Sequence, residues 1–134
     1  MIGLVIVAHG GLAQELLAAT EHVVGRQSGA VAVSTGPDDD LTAKRAEIEA
    51  AVADANSGDG VVVVTDMFGG TPCNLAIGCM GGADVEVVYG ANLPLLVKLA
   101  KMRDHPLEDA VEAAIEAGRK YIDGATRMLR AKAS

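Results

Sequence analysis

The sequence has few of the residues with which proteins bind nucleic acids. It contains no Trp, two Tyr and one Phe, so it has no aromatic surface on which single-stranded bases could stack. Its 11 Lys and Arg are outnumbered by 18 Asp and Glu, which gives a formal net charge of −7. Such an acidic chain does not have the basic stripe that contacts a phosphate backbone. We therefore expect no nucleic-acid partner.

Cysteine is also scarce, with Cys73 and Cys79 the only two. Two cysteines make no disulfide framework, and their spacing without further ligands does not match a zinc site. We expect no metal site and a reducing, cytoplasmic compartment. No uncharged apolar run approaches about 18 residues, so no membrane span is predicted. The apolar start follows no basic residues, which argues against a signal peptide.

Short apolar runs alternate with helical patterns through the whole chain. Runs rich in Val and Ile, typical of strands buried on both faces, occupy residues 2–8, 30–34, 60–66 and 85–89. Helical patterns occupy residues 12–24, 41–56, 71–80, 94–103 and the chain from residue 107 onward. This alternation predicts an α/β fold in one domain, residues 1–134, with an open, doubly wound, mostly parallel sheet and helices on both faces. The expected strand order is 2-1-3-4.

Two of the predicted helices start with capping residues. The acidic run at residues 38–40 can supply the N-cap of the helix that begins at Leu41. Thr71 can cap the following helix, with Pro72 at its first position.

Two polar residues follow strands that should be neighbours where the strand order reverses, which is where open α/β sheets bind ligands. His9 follows the first strand and precedes Gly10 and Gly11, which leave the amides of a helix N-terminus uncovered. An imidazole there can attack phosphorus and hold a phosphoryl group, or it is a structural histidine at a strand end. Asp66 ends the third strand and either caps a turn or orients one ring nitrogen of His9.

A second glycine-rich turn follows Asp66. Gly69, Gly70, Thr71 and Pro72 combine a flexible turn, a hydroxyl and a helix start, which favours a second anion-binding loop, although the glycines alone could serve only the turn. The sequence is not a Walker A loop, since no Gly-Lys-Ser/Thr follows, and its spacing is not that of a dinucleotide fingerprint. Asn74, one turn into the helix, either points at the site or lies on a solvated face.

The other histidines have simpler interpretations. His22 is expected on the surface of a helix, and His105 in a turn before a proline.

These motifs resemble the enzyme IIA domain of the mannose/fructose/sorbose-type phosphoenolpyruvate-dependent sugar phosphotransferase system. The resemblance covers essentially the whole chain, and it depends on the segments IGLVIVAHGGLAQELL, VVVVTDMFGGTPCNLA and YGANLPLLVKL. The second segment is the most specific, since it has an aromatic residue, Phe68, before Gly-Gly-Thr-Pro. The related phosphotransfer subunit of dihydroxyacetone kinase usually has His-Ser after its first strand and no Gly-Gly-Thr-Pro.

The resemblance implies that His9 is phosphorylated on Nε2 and that Asp66 hydrogen-bonds the other ring nitrogen. The residues expected around the phosphoryl group and the partner are Gly10, Gly11, Phe68, Gly69, Gly70, Thr71, Pro72 and Asn74. It implies a cytoplasmic carrier without cofactor that takes phosphate from the carrier protein HPr and passes it to an enzyme IIB. The chain ends near residue 134 without a linker and IIB domain, so we expect that IIB is a separate protein. Contact with the membrane would be indirect, through the sugar permease.

Alternatives remain open at this stage. A solitary IIA protein can regulate a partner through its phosphorylation state instead of serving transport, and the same fold could also bind a small ligand without chemistry. The resemblance further implies a homodimer in which a C-terminal segment is exchanged. Residues 119–132 are either a helix or an exchanged edge strand.

Overall fold

The protein forms a four-stranded parallel sheet that matches the predicted order. Its computed structural model describes residues 1–82 and 84–133. The strands are β1 (Gly3–His9), β2 (Ala30–Thr35), β3 (Val61–Thr65) and β4 (Val85–Tyr89). They lie in the order β2-β1-β3-β4, and all three pairings are parallel. The fold class and strand order predicted from the sequence are thereby confirmed.

Six helices accompany the sheet in the part of the chain that the structure describes, and five of them cover its two faces. They are α1 (Leu12–Val24), α2 (Leu41–Ala55), α3 (Thr71–Ile77), α4 (Leu93–Lys101), α5 (Leu107–Lys120) and α6 (Ala125–Ala133). Side chains of α1, α4 and α5 pack with Leu4 and Ile6 of β1 on one face. Side chains of α2 and α3 pack with Val5 and Val7 on the other. The first strand is therefore apolar at successive positions because both of its faces are buried.

The helix starts agree with the sequence in one case and differ in another. Asp40 caps α2, since its Oδ1 accepts the backbone N–H groups of Thr42 and Ala43 at 3.0 and 3.4 Å. Thr71, in contrast, is not a cap. It is the first residue of α3, whose N-cap is Gly70 in an extended conformation, and no side chain caps this helix.

Helix α3 is also shorter than predicted. It ends at Ile77 rather than near residue 80. The N–H of Cys79 donates to the carbonyl of Ala76 at 2.9 Å, so the chain tightens into a turn with i to i+3 bonds at this point.

The C-terminal segment is helical in this chain. Of the two alternatives for residues 119–132, the structure has the helical one: α5 continues to Lys120 and α6 follows after a short break. Among the described residues there is no fifth strand. Helix α6 has no buried residue, and Ile122 before it is 72% exposed. None of the helices in residues 1–82 and 84–133 has the length and apolarity to cross a membrane.

Candidate functional site

His9 and Asp66 meet at the carboxyl edge of the sheet. His9 is the last residue of β1, and Asp66 follows the last residue of the adjacent parallel strand β3. The Oδ2 atom of Asp66 lies 2.7 Å from Nδ1 of His9 and also accepts the backbone N–H of His9 at 3.1 Å. The other carboxylate oxygen accepts the backbone N–H of Met67 at 3.0 Å. The carboxylate is thus fixed by two backbone donors while it holds the imidazole ring.

The environment of Asp66 favours its charged form. Burial of the carboxylate would by itself raise the pKa of Asp66, but the hydrogen bonds from the ring and the backbone of His9 outweigh burial and hold this pKa below its ordinary value. The side chain of Asp66 is 13% exposed, whereas that of His9 is 50% exposed. An ionised carboxylate only accepts hydrogen bonds, so neutral His9 carries its proton on Nδ1. Nε2 then has the free lone pair that a nucleophile needs.

Gly70 lies against the Cε1–Nε2 side of the ring. A Cβ atom built on Gly70 would be 2.9 Å from Cε1 and 3.3 Å from Nε2 of His9. Gly70, the N-cap of α3, therefore lies so close to the imidazole that the ring would have to move to admit a Cβ atom.

Gly10 and Gly11 connect His9 to α1 and leave space beside it. Gly10 has a positive φ of 56°, and its N–H donates to the carbonyl of Thr35 at 2.7 Å, which pins the turn to β2. Gly11 is the N-cap of α1, and no side chain caps that helix. A Cβ on either glycine would meet no heavy atom within 4 Å. In residues 1–82 and 84–133, no side-chain cap hydrogen bond reaches the amides of the first turn of α1.

The loop after Asp66 places an exposed aromatic residue at the same edge. Phe68 is 63% exposed, and its ring lies against that of Tyr89 at the end of β4, with centroids 4.8 Å apart. Gly69 allows this turn because its φ is 85°. The sequence interpretation missed Tyr89, although the rule that parallel strands end at one edge could have found it, since it is the last residue of the neighbouring strand.

The remaining residues of the loop motif do not all face the solvent. Thr71 and Asn74 are exposed, whereas Pro72, the second residue of α3, is buried. Among the described residues, no hydrogen bond joins His9 to the side chain of Thr71 or Asn74. Their roles at the site stay predictions.

The sequence interpretation also missed a buried hydroxyl group next to the site. Thr65 immediately precedes Asp66 and is fully buried. Among the described residues, its Oγ1 is the buried side-chain polar atom without a hydrogen-bond partner. Nothing in a run of four valines followed by Thr distinguishes this hydroxyl from an ordinary strand residue.

The other two histidines, His22 and His105, lie in different parts of the fold. His22 is exposed on α1, as predicted, and His105 lies in the turn before α5, 3.6 Å from Asp104. No group of three or more His, Cys, Asp or Glu that could hold a metal ion occurs in the part of the chain that the structure describes.

With this geometry established, the sequence can be compared with known proteins. The profile of the family described as "PTS system fructose IIA component" (EIIA-man) matches residues 3–116. The chain belongs to this family. The resemblance noted from the three sequence segments is thereby confirmed.

Characterised relatives cover different shares of the chain. The chain is 29% identical over 124 residues to the "PTS system mannose-specific EIIAB component" of Escherichia coli strain K12, an alignment that covers 90% of this chain and 38% of that protein. It is 26% identical over 106 residues to the "PTS system fructose-specific EIIA component" of Bacillus subtilis, with 78% and 73% covered. The chain therefore spans about two fifths of the length of the mannose-specific relatives.

Solved structures of this family share the fold. The phosphotransferase system component EIIA of Streptococcus agalactiae superimposes with a TM-score of 0.85 at 25% identity, covering 95% of this chain and 99% of that one. The mannose/sorbose-specific IIA subunit of Enterococcus faecalis superimposes with a TM-score of 0.83 at 29% identity, covering 92% and 93%.

Proposed function

We propose that this chain acts as the IIA domain of a sugar phosphotransferase system and is a cytoplasmic phosphoryl carrier. Nε2 of His9 accepts the phosphoryl group from phospho-HPr and passes it to an enzyme IIB. The observation that carries this proposal is the 2.7 Å hydrogen bond between His9 and Asp66, because it leaves Nε2 as the nucleophilic nitrogen. Membership of the IIA family supports it independently.

The transfer needs only groups that the two proteins supply. The lone pair on Nε2 attacks phosphorus, the nitrogen–phosphorus bond of the donor phosphohistidine breaks, and its electron pair returns to the donor ring. His9 keeps its proton on Nδ1, so its ring becomes positively charged as the new bond forms. Asp66 balances this charge at 2.7 Å. Because the donor bond is already activated, the reaction requires no nucleotide or metal.

The surroundings of His9 favour a phosphoryl group at this place. Helix α1 begins with Leu12 directly after Gly10 and Gly11, and its first amides carry the partial positive charge of a helix N-terminus. The space beside the two glycines is open. Phosphoryl oxygens attached to Nε2 could accept hydrogen bonds from these amides.

Labelling with radioactive phospho-HPr tests the proposal. The wild-type protein should acquire acid-labile phosphate, and His9→Ala should acquire none. His22→Ala is the matched control, since it removes an exposed histidine from the adjacent helix and should be labelled like the wild type. Labelling of the His9→Ala protein would contradict the assignment of His9, and unlabelled wild type would contradict the carrier function.

The acceptor of the phosphate distinguishes transport from regulation. Transfer from the labelled protein to an enzyme IIB would support the transport role, whereas control of another protein by the phosphorylated form alone would support the regulatory alternative. The named relatives differ in their sugars, mannose in one and fructose in another. The sugar of this system therefore has to be identified by transport measurements.

We also propose that the protein is a homodimer in which the C-terminal segment of each copy covers the other. Within the described residues no strand pairs with the outer edge of β4, and beside this edge runs a groove of about 990 Å³ between β4 and α5. The groove combines apolar side chains, among them Val111 and Ile115, with four acidic and two basic residues, so the acidic side chains are in excess: Glu86, Glu108, Glu112 and Glu116 against Arg119 and Lys120. An open edge of this kind favours pairing with another chain.

The segment after α5 has the complementary chemistry. Residues 121–133 contain three basic residues and one acidic residue. Their apolar side chains are exposed in the single chain: Tyr121 by 65%, Ile122 by 72% and Leu129 by 60%. Seating this segment in the groove of a second copy would bury apolar surface on both sides and pair opposite charges.

Light scattering of the full chain should therefore give about twice the chain mass. Truncation after Lys120, which keeps α5 whole, should give a monomer. Glu112→Lys with Glu116→Lys should weaken the dimer, and adding Arg127→Glu with Lys132→Glu should restore it in part. A full chain that is monomeric at micromolar concentration, or a truncated chain that still dimerises, would contradict the exchange.

A further inference from the structure

The imidazole of His9 is enclosed on two edges that have different chemistry. The Oδ2 atom of Asp66 lies 2.7 Å from Nδ1 of His9, at the short end of the range for charge-assisted hydrogen bonds. On the other edge, the Cα atom of Gly70 lies so close that a Cβ there would be 2.9 Å from Cε1 and 3.3 Å from Nε2. The ring therefore fills the space between the carboxylate and the start of α3.

The backbone conformation of Gly70 does not explain why glycine stands there. Its φ of −82° and ψ of 167° describe an extended conformation that any L-residue adopts. Its neighbour Gly69, in contrast, has a φ of 85°, which favours glycine whatever lies nearby. The need for glycine at position 70 thus comes from the ring of His9 and not from the turn.

A methyl group at position 70 would have to displace the imidazole or cover its reactive edge. Displacement towards Asp66 is blocked, because the Nδ1 to Oδ2 distance is already 2.7 Å. Displacement towards solvent is possible, since the His9 side chain is 50% exposed, but it would lengthen this hydrogen bond. If the ring stayed in place, the methyl group would lie 2.9 Å from Cε1 and 3.3 Å from Nε2, and it would crowd the nitrogen to which the phosphoryl group has to attach.

We propose that Gly70 is a positioning residue for the transfer, and this inference rests on the proposed function of His9. By having no side chain, Gly70 lets the ring keep its hydrogen bond to Asp66 and present Nε2 to the donor at the same time. Its contribution acts through His9, so a substitution should slow the chemical step and leave docking of the donor unchanged.

The decisive variant is Gly70→Ala, with Gly81→Ala as the matched control. Gly81 lies in the turn after α3, has no positive φ, and a Cβ there would meet no heavy atom within 4 Å. With phospho-HPr as donor, Gly70→Ala should lower kcat by about tenfold to a hundredfold at unchanged KM, as misplacement of a reacting group by up to about 1 Å does. Gly81→Ala should have the wild-type kcat.

Two measurements on His9 do not depend on the transfer reaction. The ring nitrogen and Cε1 signals of His9 in NMR spectra should shift in Gly70→Ala and not in Gly81→Ala. Carbethoxylation of Nε2 by diethylpyrocarbonate should also change in rate in Gly70→Ala only. A merely structural glycine would lower the unfolding temperature without moving either signal.

A double-mutant cycle covers the case of a poorly folded variant. If the methyl group clashes with the ring, Gly70→Ala should destabilise the wild type more than it destabilises the His9→Ala protein. Equal destabilisation in both backgrounds, or a Gly70→Ala protein with wild-type kcat and unshifted His9 signals, would overturn the inference. Failure of the wild type to accept phosphate would instead refute the proposed function. In that case the NMR spectra and the diethylpyrocarbonate rates would still show whether position 70 contacts the ring of His9.

Discussion

Replacing Asp66 by Asn tests the carboxylate with the smallest change of shape. The carboxylate accepts three hydrogen bonds: Oδ2 from Nδ1 and from the backbone N–H of His9, and Oδ1 from the backbone N–H of Met67. An amide offers one oxygen and one NH₂ group. In one of its two orientations, the NH₂ group of Asn would face the backbone N–H of Met67, so that two donors oppose each other. The other sets a donor against His9, which favours the tautomer with the proton on Nε2 and so removes the nucleophile.

The size of the effect follows from the bond that is lost. A hydrogen bond to a charged group contributes about 1.5–3 kcal/mol. If this contribution is realised in the transition state, its loss slows transfer by about tenfold to a hundredfold. Because half of the His9 side chain is exposed, solvent screens part of the interaction, and the lower end of this range is the better expectation.

Rapid-quench phosphorylation by phospho-HPr measures the rate of the chemical step directly. Asp54→Asn is the matched control, since this acid is exposed on α2 and has no place in the site. Circular dichroism should show both variants folded. An Asp66→Asn protein that is folded and phosphorylated at the wild-type rate would refute the reasoning and reduce Asp66 to a structural residue at the end of β3.

Three further predictions concern stability, measured by urea unfolding. The pKa of Asp66 is lower in the folded state than in the unfolded state, so its ionised carboxylate contributes fully to the free energy of unfolding above the unfolded-state pKa. This contribution is lost as the pH falls through the folded-state pKa, and the difference in stability between wild type and Asp66→Asn should therefore disappear in acid. A difference that stays constant with pH would contradict the direction of the pKa shift. Thr65→Val should stabilise by about 1–2 kcal/mol, since it removes a buried hydroxyl without a partner, and a loss would show that the hydroxyl is bonded. Gly3→Ala should destabilise by about 1–3 kcal/mol, because its Cβ would lie 2.8 Å from Cβ of Ala55, and an unchanged midpoint would contradict this packing.

The position of the His9–Asp66 pair could be predicted because it follows from the sheet alone. Continuous apolar runs such as Val61 to Val64 identify strands buried on both faces, and strands that alternate with helices must be parallel. In a parallel sheet all carboxyl ends lie at one edge. With the order 2-1-3-4, the residues that end the first and third strands become neighbours, as the structure confirms.

What the sequence did not predict depends on contacts between distant segments. Thr71 has the side chain of a cap, but in the structure it is already the first residue of α3, and the N-cap is Gly70, one residue earlier. The pairing of Phe68 with Tyr89 requires the spatial order of β3 and β4, which local patterns do not contain. The conformation of residues 119–132 is undecided by pattern, since the same apolar and basic residues suit a helix or an edge strand.

The surroundings of His9 bear on how one nitrogen would serve the two partners that we propose. Asp66, which contacts the ring at Nδ1, has a side chain that is only 13% exposed, and the backbone of Gly70 lies beside Cε1 and Nε2. The side chain of His9 is 50% exposed, so partners would reach Nε2 through the opening on the solvent-exposed side of the ring. A donor and an acceptor that exchange phosphate with this atom, as we propose, must both approach through that opening, which two proteins cannot occupy together. The phosphoryl group must then remain on His9 between the departure of one partner and the arrival of the other, and Asp66 is the group placed to balance the charge of the ring during that interval.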